Sequence, residues 1–591
     1  MKRTMWPRIA VIAAAALLVA AACSSTATPA PGSASPASPA ASAPASPAAP
    51  ASPGASAVAS VGASAPAGSA PAASAAGPSQ ATLRVGWSSE PDTMNPLTTF
   101  STEANEVLQL VYDKLLGYST DLTPEPELAA SWETAPDGLS TTYHLQPGAT
   151  WQDGQPVTSE DVAYTFKTIK DDSLGAYAQW LGDYVGADTP DPQTVVLRYA
   201  KPQAFDPALA IPILPKHIWS TMDAKAIQTF TNDQPVGSGP FKLAGWKQGE
   251  TVTLERNDAF WGTPPVPARI IYILYGSEDV EAQALKNGDV DVLTEVPPTV
   301  WDGLVGATNV KAVRLPSFSF HHIGFNVSDD PGSKGNPLLR DPVIRQALSA
   351  AVDRNQLVQI ALAGKGMPGS TLVPAGLGEW HLDIPADKLL DANPEKAKQL
   401  LDAAGYTDRN GDGIRESADG KPLEFRLIAI ESTGVDVRAA QLFRDAAQAV
   451  GIKLDLATLD ENTLGSTVYN TTNPDWDIFV WGWDSAVHDP DYMLGVPLCS
   501  QIGGNNDVFY CDKAYDALYA QQATTLDPVA RKALVDQMQQ MFYDAAPYIV
   551  MWYQDKLQAY RTDTWTGWQE SPGGLVFNFT RDNYLKVTPA Q

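Results

Sequence analysis

The segment between residues 422 and 459 constrains the fold more than any other part of the sequence. Its pattern predicts a strand in PLEFRLIAI, a helix in VDVRAAQLFRDAAQAVG that is closed by Gly451, and a second strand in IKLDLATL. Two strands joined by one crossover helix of this length pair in parallel, with a right-handed connection. Further along, DWDIFVWGW is a nearly unbroken apolar run, typical of a strand that is covered on both faces. The chain is therefore predicted to contain an α/β body.

The carboxyl end of this apolar run is the predicted ligand-binding edge. Open α/β sheets bind ligands outside the carboxyl ends of their strands, which here lie in WGWDSAVHDPDYML. Trp481 and Trp483 alternate with a glycine in the strand, and we expect one of them to face the core and the other to reach the cleft. Tyr177 and Trp180, in GAYAQWLGDYV, are candidates for the opposite wall, with structural packing as the alternative role.

The amino-terminal segment predicts export from the cytoplasm. Basic residues precede an apolar run at residues 9–22, which is too short to span a bilayer comfortably and is typical of a secretory signal. Cys23 follows three alanines, and this arrangement resembles the lipobox of bacterial lipoproteins, although Ala20 stands where that box usually has leucine. Residues 1–23 are therefore predicted to be a lipoprotein signal ending at a lipidated cysteine. A plain secretory signal with an incidental cysteine is the alternative.

Residues 24–80 consist almost entirely of alanine, serine and proline. Such a segment has no large apolar side chains to bury, and its prolines interrupt regular structure, so it is predicted to be a disordered tether between the membrane and the folded body. A glycosylated stalk is the competing interpretation. The net charge of -27 disfavours nucleic acid as a partner and is consistent with a soluble body outside the cell.

Cys499 and Cys511 are the two cysteines left once Cys23 is set aside. In an exported protein, two thiols that close a short loop are expected to form a disulfide, and two free buried cysteines are the alternative. The loop between them, SQIGGNNDVFY, carries no clear structural pattern of its own.

The segment DRNGDGIRESAD resembles the first half of an EF-hand calcium loop. Asp408, Asn410 and Asp412 have the required spacing, and Asp419 stands near the position of the closing bidentate carboxylate. The same residue types also form a bare turn between a helix and a strand, and no second EF-hand helix follows. A structural calcium site and a simple turn therefore both remain open, and no other cofactor is expected.

Catalysis is not expected. The sequence contains neither the G-x-S-x-G motif of serine hydrolases nor the H-E-x-x-H motif of zinc peptidases. Its six histidines include the adjacent His321 and His322, which point to opposite faces of a strand and make a poor chelating pair.

Six sequence blocks carry a resemblance to a known family. In chain order they are PDTMNPL, VYDKLLGY, PELAASWETAPDGLSTTYHLQPGATWQDGQPVTSEDVAYTF, PVGSGPFKLAGWKQGETVTLERNDAFWG, LRDPVIRQALSAAVDR and GYTDRNGDGIRE. Their order and spacing resemble those of the family 5 extracytoplasmic solute-binding proteins, which include the oligopeptide, dipeptide and nickel receptors of ABC importers. The resemblance covers essentially all of residues 81–591.

The resemblance implies a two-lobed clamp of the type II periplasmic-binding-protein class, with mixed sheets flanked by helices and an extra subdomain. Lobe I would comprise residues 81–315 and 560–591, with the subdomain at about 124–233, and lobe II would comprise residues 316–559. The chain would cross between lobes near VRLPSFSFHHIGFNV and near KLQAYRTDTW. Closure of the lobes on a ligand would create the shape that a membrane permease recognises.

The resemblance also implies ligand contacts. The loop before VYDKL lies along the ligand in family members, which maps to Phe100, Ser101 and Thr102. The residues that follow the buried strand, here Gly482 and Trp483, lie along it as well.

The position that binds the ligand's amino group departs from the family pattern. Peptide receptors of this family place an aspartate there, and the aligned residue is Ala486. Asp484 and Asp489 flank it, and either is a candidate substitute. If neither serves, a free amino terminus is not the recognised feature.

The predicted function is that of a monomeric, membrane-anchored extracytoplasmic receptor that captures oligopeptides or dipeptides for an ABC permease. The alternatives are the same clamp with a nickel complex, a sugar or an opine as its ligand, and a sensory or adhesive surface lipoprotein.

Overall fold

The computed structural model describes residues 80–99, 101–172, 176–485, 487–576 and 580–590, all of which belong to one compact unit. The predicted signal, Cys23, nearly all of the tether, Phe100 and Ala486 lie outside the described residues. Among the described residues, no helix has both the length and the apolar composition needed to cross a bilayer.

The strands of the described residues are β1 (Thr82–Trp87), β2 (Leu116–Tyr118), β3 (Pro124–Pro126), β4 (Ala129–Thr134), β5 (Ser140–Leu145), β6 (Tyr184–Asp191), β7 (Thr194–Tyr199), β8 (Phe241–Lys247), β9 (Thr251–Arg256), β10 (Arg269–Leu274), β11 (Val292–Leu293), β12 (Val310–Pro316), β13 (Ser319–Phe325), β14 (Gly366–Pro368), β15 (Glu424–Ile430), β16 (Lys453–Leu459), β17 (Ile478–Asp484), β18 (Tyr548–Arg561), β19 (Trp565–Thr566) and β20 (Thr588–Pro589).

The α-helices of the described residues are α1 (Thr102–Val111), α2 (Ser159–Asp172), α3 (Lys216–Trp219), α4 (Ala224–Thr229), α5 (Glu278–Asn287), α6 (Pro298–Trp301), α7 (Pro342–Ala351), α8 (Arg354–Ala361), α9 (Pro394–Ala403), α10 (Gly434–Gln448), α11 (Glu461–Val468), α12 (Asp491–Gly495), α13 (Lys513–Gln522), α14 (Pro528–Ala545) and α15 (Asp582–Lys586). Short 3₁₀ helices lie at Ala176–Leu181, Pro207–Leu209, Pro337–Arg340, Ala375–Trp380 and Cys499–Gln501.

The predicted strand–helix–strand unit is confirmed. β15 and β16 pair in parallel, with Leu427 opposite Leu456, and α10 connects them. β17 pairs in parallel with β15 on the other side, so the carboxyl ends of three neighbouring strands lie at one edge of the sheet. The helix ends before Gly451, whose φ of 85° is a left-handed conformation that glycine adopts without steric cost.

Local sequence signals also explain where helices begin. The Asp341 carboxylate accepts a hydrogen bond from the Val343 amide at 2.9 Å, and Pro342 occupies the first helical position of α7. At the start of α2, the amide and hydroxyl of Thr158 both donate to the Asp161 carboxylate. At both helix starts, side-chain oxygens thus satisfy amide groups that have no partner within the helix.

One long strand organises the main sheet. In the described residues this sheet follows the order β16-β15-β17-β13-β18-β11-β1-β10-β9-β8, and β12 and β14 also pair with β18. The first part of β18, up to Gln554, pairs with β13 and β14, and the part from Asp555 onward pairs with β12 and β11. β12 belongs to the group that pairs with the later part of β18, and β13, the next strand in the chain, belongs to the group that pairs with its first part. The chain therefore crosses between the two groups of strands twice, from β12 to β13 and within β18.

A second layer lies within residues 124–233, the segment that the family resemblance assigns to an extra subdomain. It is a four-stranded antiparallel sheet of order β4-β5-β7-β6, against which α2 packs. Its core includes Tyr143, Phe166, Val195 and Leu197, all fully buried.

The α/β unit has a hydrophobic core of its own. It joins residues of β13 and β15, such as Ile323 and Leu427, to residues of α7 and α10, such as Leu348 and Phe443. Burial of side chains of this size is the dominant stabilising contribution, at about 1.5 to 3 kcal/mol each. This core fixes β15 and β17 as rigid supports for the residues at their carboxyl ends.

Candidate functional site

A cavity of about 600 Å³ opens at the carboxyl ends of β15 and β17. We call it the tryptophan pocket and define it by Glu461, Tyr469, Trp481, Trp483 and Asp484, which line it together with the first turns of α10 and α11. The sequence predicted the position of this pocket from the strand pattern.

Trp481 and Trp483 lie on the same face of β17, and the expectation that one faces the core and the other the cleft is wrong. Residues two apart on a strand point in the same direction. Both indole Nε1–H groups donate to Oδ2 of Asp507, at 2.9 and 3.0 Å. The hydroxyl of Tyr548 donates to the other carboxylate oxygen, Oδ1. Because Asp507 is fully buried, it holds both indoles in fixed positions.

The two candidate aspartates have different environments. Asp484 is exposed at the rim of the tryptophan pocket, and its carboxylate makes no hydrogen bond or ion pair with any described residue. Asp489 is buried, and its two carboxylate oxygens accept hydrogen bonds from Nη2 and Nη1 of Arg531 at 2.6 and 2.8 Å. Both oxygens of Asp489 accept from Arg531, and Oδ1 also accepts from the Asp491 amide at 2.8 Å, so the exposed Asp484 is the stronger candidate.

Aromatic side chains connect the predicted opposite wall to this pocket. The ring centroid of Tyr177 lies 5.2 Å from that of Trp180, and Trp180 lies 6.2 Å from Tyr492 of α12. Tyr492 in turn lies 6.4 Å from Trp483. The structure thus brings Tyr177, Trp180 and Trp483 into one row of rings. Tyr177 and Trp180 also line a smaller cavity of about 110 Å³ with Lys114.

The loop before α1 lies beside a third, smaller cavity. Ser101 is the N-cap of α1, where its hydroxyl accepts from the Ala104 amide at 3.1 Å. Thr102 lines a cavity of about 50 Å³ at the carboxyl end of β1, together with Glu106 and Glu281. Ser101 therefore has a structural role, and Thr102 is the described residue of this loop that lines the cavity.

Two carboxyl groups of that cavity are protonated more readily than usual. Burial raises the pKa of Glu106 to about 7, although Tyr584 and Trp87 donate hydrogen bonds that oppose the shift. Burial, followed by repulsion from neighbouring carboxylates, raises the pKa of Glu281 to about 8. Glu281 is 2% exposed, and its carboxyl group makes no hydrogen bond with a described residue.

Glu281→Gln is expected to change the pH dependence of stability. The carboxyl has an ordinary pKa of 4.5 and a folded pKa of about 8, so between these values the folded state binds the extra proton. Its contribution to stability is therefore present at low pH and is lost as pH rises through this window. The variant is expected to be more stable than wild type by roughly 5 kcal/mol at about pH 9 and by less than about 1 kcal/mol at pH 5. Urea unfolding at several pH values measures this difference, with Glu133→Gln as an exposed control. Parallel curves for the two proteins contradict the prediction.

The acidic loop has a different set of carboxylates from the predicted one. Oxygens of Asp408, Asp412 and Glu416 lie within 4.8 Å of one another. Asp419 does not join them, because it accepts from the Ser417 hydroxyl and pairs with Lys421 at 2.9 Å. Glu416 therefore takes the place that the sequence pattern gave to Asp419.

The loop is also stabilised without an ion. The carboxylate of Asp408 accepts from the amides of Gly411 and Gly413, at 2.7 and 3.0 Å. Asn410 accepts from the Asp412 amide in the same way, at 2.8 Å. These contacts are those of a polar turn, which agrees with the alternative interpretation of the motif.

Sequence reasoning missed Asp507, Tyr469 and Glu461. Asp507 lies in the loop that the Cys499–Cys511 disulfide closes, in a stretch without a helix or strand pattern. The two flanking cysteines were the available signal, since a disulfide indicates that the loop between them is held in place.

The match to a family model decides the family. The model described as "Bacterial extracellular solute-binding proteins, family 5 Middle" matches residues 123–505, more than half of the chain. This chain belongs to that family. Members of family 5 are extracytoplasmic solute-binding receptors of ABC transporters and not enzymes.

Individual relatives are similar over most of the chain. The oligopeptide-binding protein AppA of Bacillus subtilis (strain 168) is 27% identical over 520 residues, covering 86% of this chain and 92% of AppA. The dipeptide-binding protein DppE of the same organism is 25% identical over 509 residues, covering 80% of this chain and 87% of DppE.

Solved structures confirm the predicted fold class. AppA from Bacillus subtilis in complex with a nonapeptide has a TM-score of 0.73 at 26% identity, covering 87% of this chain and all of AppA (100%). NikZ from Campylobacter jejuni in complex with Ni(L-His) has a TM-score of 0.73 at 25% identity, covering 86% of this chain and 99% of NikZ. This family 5 protein thus has the mixed α/β fold of the type II periplasmic binding proteins.

Proposed function

We propose that this family 5 protein captures peptides between two closing lobes and delivers them to the permease of an ABC importer. The observation that carries the proposal is the tryptophan pocket, which lies where open α/β sheets bind ligands and presents aromatic and polar groups to a cavity large enough for peptide side chains. The peptide ligands of AppA and DppE support the same substrate class.

The lobes in this proposal are residues 81–315 with 560–591, and residues 316–559. The pairing of β18 supports a hinge between them, because its partners change at Gln554 and Asp555 from one group of strands to the other. The contact of Trp180 with Tyr492 supports a cleft whose two walls are the 176–181 segment and α12. Rotation about β12, β13 and β18 would bring these walls together or apart.

Mass spectrometry of the full-length protein purified from its host tests the substrate class. The protein is sprayed intact from native buffer and again after denaturation. We expect a series of released masses that fit short peptides. A single non-peptide mass would contradict the peptide assignment and leave the binding clamp in place.

A non-peptide solute is the second candidate. Position 486 carries alanine where peptide receptors of this family have the amine-binding aspartate, and NikZ binds Ni(L-His) with a similar fold. Loss of peptide uptake on deletion of the gene would favour the first candidate. It would also separate an import receptor from a sensory or adhesive lipoprotein, whose deletion leaves uptake unchanged.

We also propose that Cys23 is lipidated and that residues 24–80 tether the receptor to the outer face of the cytoplasmic membrane. The lipobox-like sequence supports the anchor, and the composition of the tether supports its flexibility. Cys23→Ser is expected to move the protein from the membrane fraction to the soluble fraction. Retention of the variant on the membrane would contradict the anchor.

A further inference from the structure

The tryptophan pocket is acidic. Glu461 and Asp484 are exposed at its rim, and neither carboxylate makes a hydrogen bond or ion pair with a described residue. A third carboxylate, that of Asp436, is hydrogen-bonded to His321, whose Nδ1 lies 2.8 Å from its Oδ1. Apart from this histidine, no basic residue lines the described part of the pocket. The charge balance therefore favours a cationic group inside it.

The aromatic rings of the pocket also favour a cationic group. Tyr469 and Trp481 lie with ring centroids 5.4 Å apart. The indole N–H groups of Trp481 and Trp483 are both bound to Asp507, so these donors are not available to a ligand. The indoles consequently offer the pocket their carbon edges and π faces. The π face carries negative potential and attracts ammonium and guanidinium groups.

The cavity at the carboxyl end of β1 is also rich in carboxyl groups. It is lined by four glutamates, Glu103, Glu106, Glu281 and Glu295, and by one lysine, Lys556. This cavity and the tryptophan pocket each lie at the carboxyl end of a parallel strand, one in each proposed lobe. Because the pKa values of Glu106 and Glu281 are raised to about 7 and 8, the negative charge of the β1 cavity at neutral pH comes mainly from Glu103 and Glu295, opposed by Lys556.

We propose that the tryptophan pocket binds a lysine or arginine side chain of the captured peptide, so that this receptor selects basic peptides. In this proposal the rings of Tyr469, Trp481 and Trp483 and the carboxylates of Asp484 and Glu461, all of which line the pocket, supply the contacts to the cation. A volume of about 600 Å³ exceeds what a terminal ammonium alone requires, and it accommodates a long side chain. The flat guanidinium of arginine also stacks on aromatic rings while its N–H groups reach carboxylates.

The test uses a chymotryptic digest of casein, whose peptides span both signs of net charge. Full-length protein is incubated with the digest, separated from free peptides, and denatured, and the retained peptides are sequenced by mass spectrometry. We expect lysine- and arginine-containing peptides to be enriched about tenfold over acidic ones, from one ion pair and one cation–π contact. In the Asp484→Asn, Glu461→Gln double variant, the enrichment is expected to fall at least about threefold. Glu133→Gln, an exposed carboxylate of β4, is the matched control and keeps the wild-type selection.

The outcomes separate this inference from the proposed function on which it rests. If peptides are retained in the proportions of the digest, the receptor binds peptides and the inference is wrong. Equal enrichment in the wild type and the double variant also overturns it, because the selection then arises elsewhere. If no peptide is retained, the proposed function is wrong, and the inference, which rests on it, is wrong as well.

Discussion

Asp507→Ala is expected to lower the free energy of unfolding by about 3 to 5 kcal/mol, because it removes a buried carboxylate that satisfies three donors. Those donors are the indoles of Trp481 and Trp483 and the hydroxyl of Tyr548. His322 Nε2 lies 3.6 Å from the same carboxylate. Each donor left without a partner in the interior costs about 1 to 3 kcal/mol. Urea unfolding followed by tryptophan fluorescence measures the loss.

The same substitution is expected to weaken peptide binding. Without Asp507, the indoles of Trp481 and Trp483 have no common anchor, and ordering them on the ligand then costs part of the binding free energy. Retention of casein peptides by the folded variant is expected to fall by about tenfold. Asp329→Ala, which removes an exposed aspartate without a hydrogen bond to a described residue, is the control. An Asp507→Ala protein as stable as this control would show that the carboxylate does not hold the tryptophans.

Arg531→Met is expected to destabilise the protein by about 3 to 5 kcal/mol, since it leaves the buried carboxylate of Asp489 without a cationic partner. The side chains of Arg531 and Asp489 are 5% and 11% exposed. Arg531 also donates from Nε to Gln522 at 3.1 Å, and its guanidinium lies 4.9 Å from the ring centroid of Trp380. The pair therefore fixes the segment after β17 against α14.

A double-mutant cycle isolates this contact. The Asp489→Leu, Arg531→Met protein is expected to be more stable than the sum of the two single changes implies, by about 2 kcal/mol, because neither charge is then buried alone. Arg444→Met is the surface control, since Arg444 and Asp445 are 44% and 68% exposed. Such an exposed pair contributes about 0 to 1 kcal/mol. Additive losses at Asp489 and Arg531 would contradict the prediction.

The fold class was predictable from patterns of residues that are close together in the sequence. The parallel pairing of β15 and β16 followed from the lengths and order of a strand, a helix and a strand. The start of α7 is likewise set locally, by Asp341 and Pro342. These features depend on residues close together in the chain. The sequence alone also allows the prediction that Trp481 and Trp483 share one face of the strand, because side chains two residues apart on a strand point in the same direction.

The binding site depended on contacts between residues far apart in the chain. Asp507 lies 26 residues from Trp481, and Arg531 lies 42 residues from Asp489. Neither partner is marked by a local pattern, since an aspartate in a loop and an arginine on a helix are ordinary surface residues. By itself the sequence determined the α/β class, the family, the edge of the sheet where a ligand binds and which residue types surround it. Only the tertiary structure decided which carboxylates are buried and paired and which are free for a ligand, because that depends on which distant segments pack together.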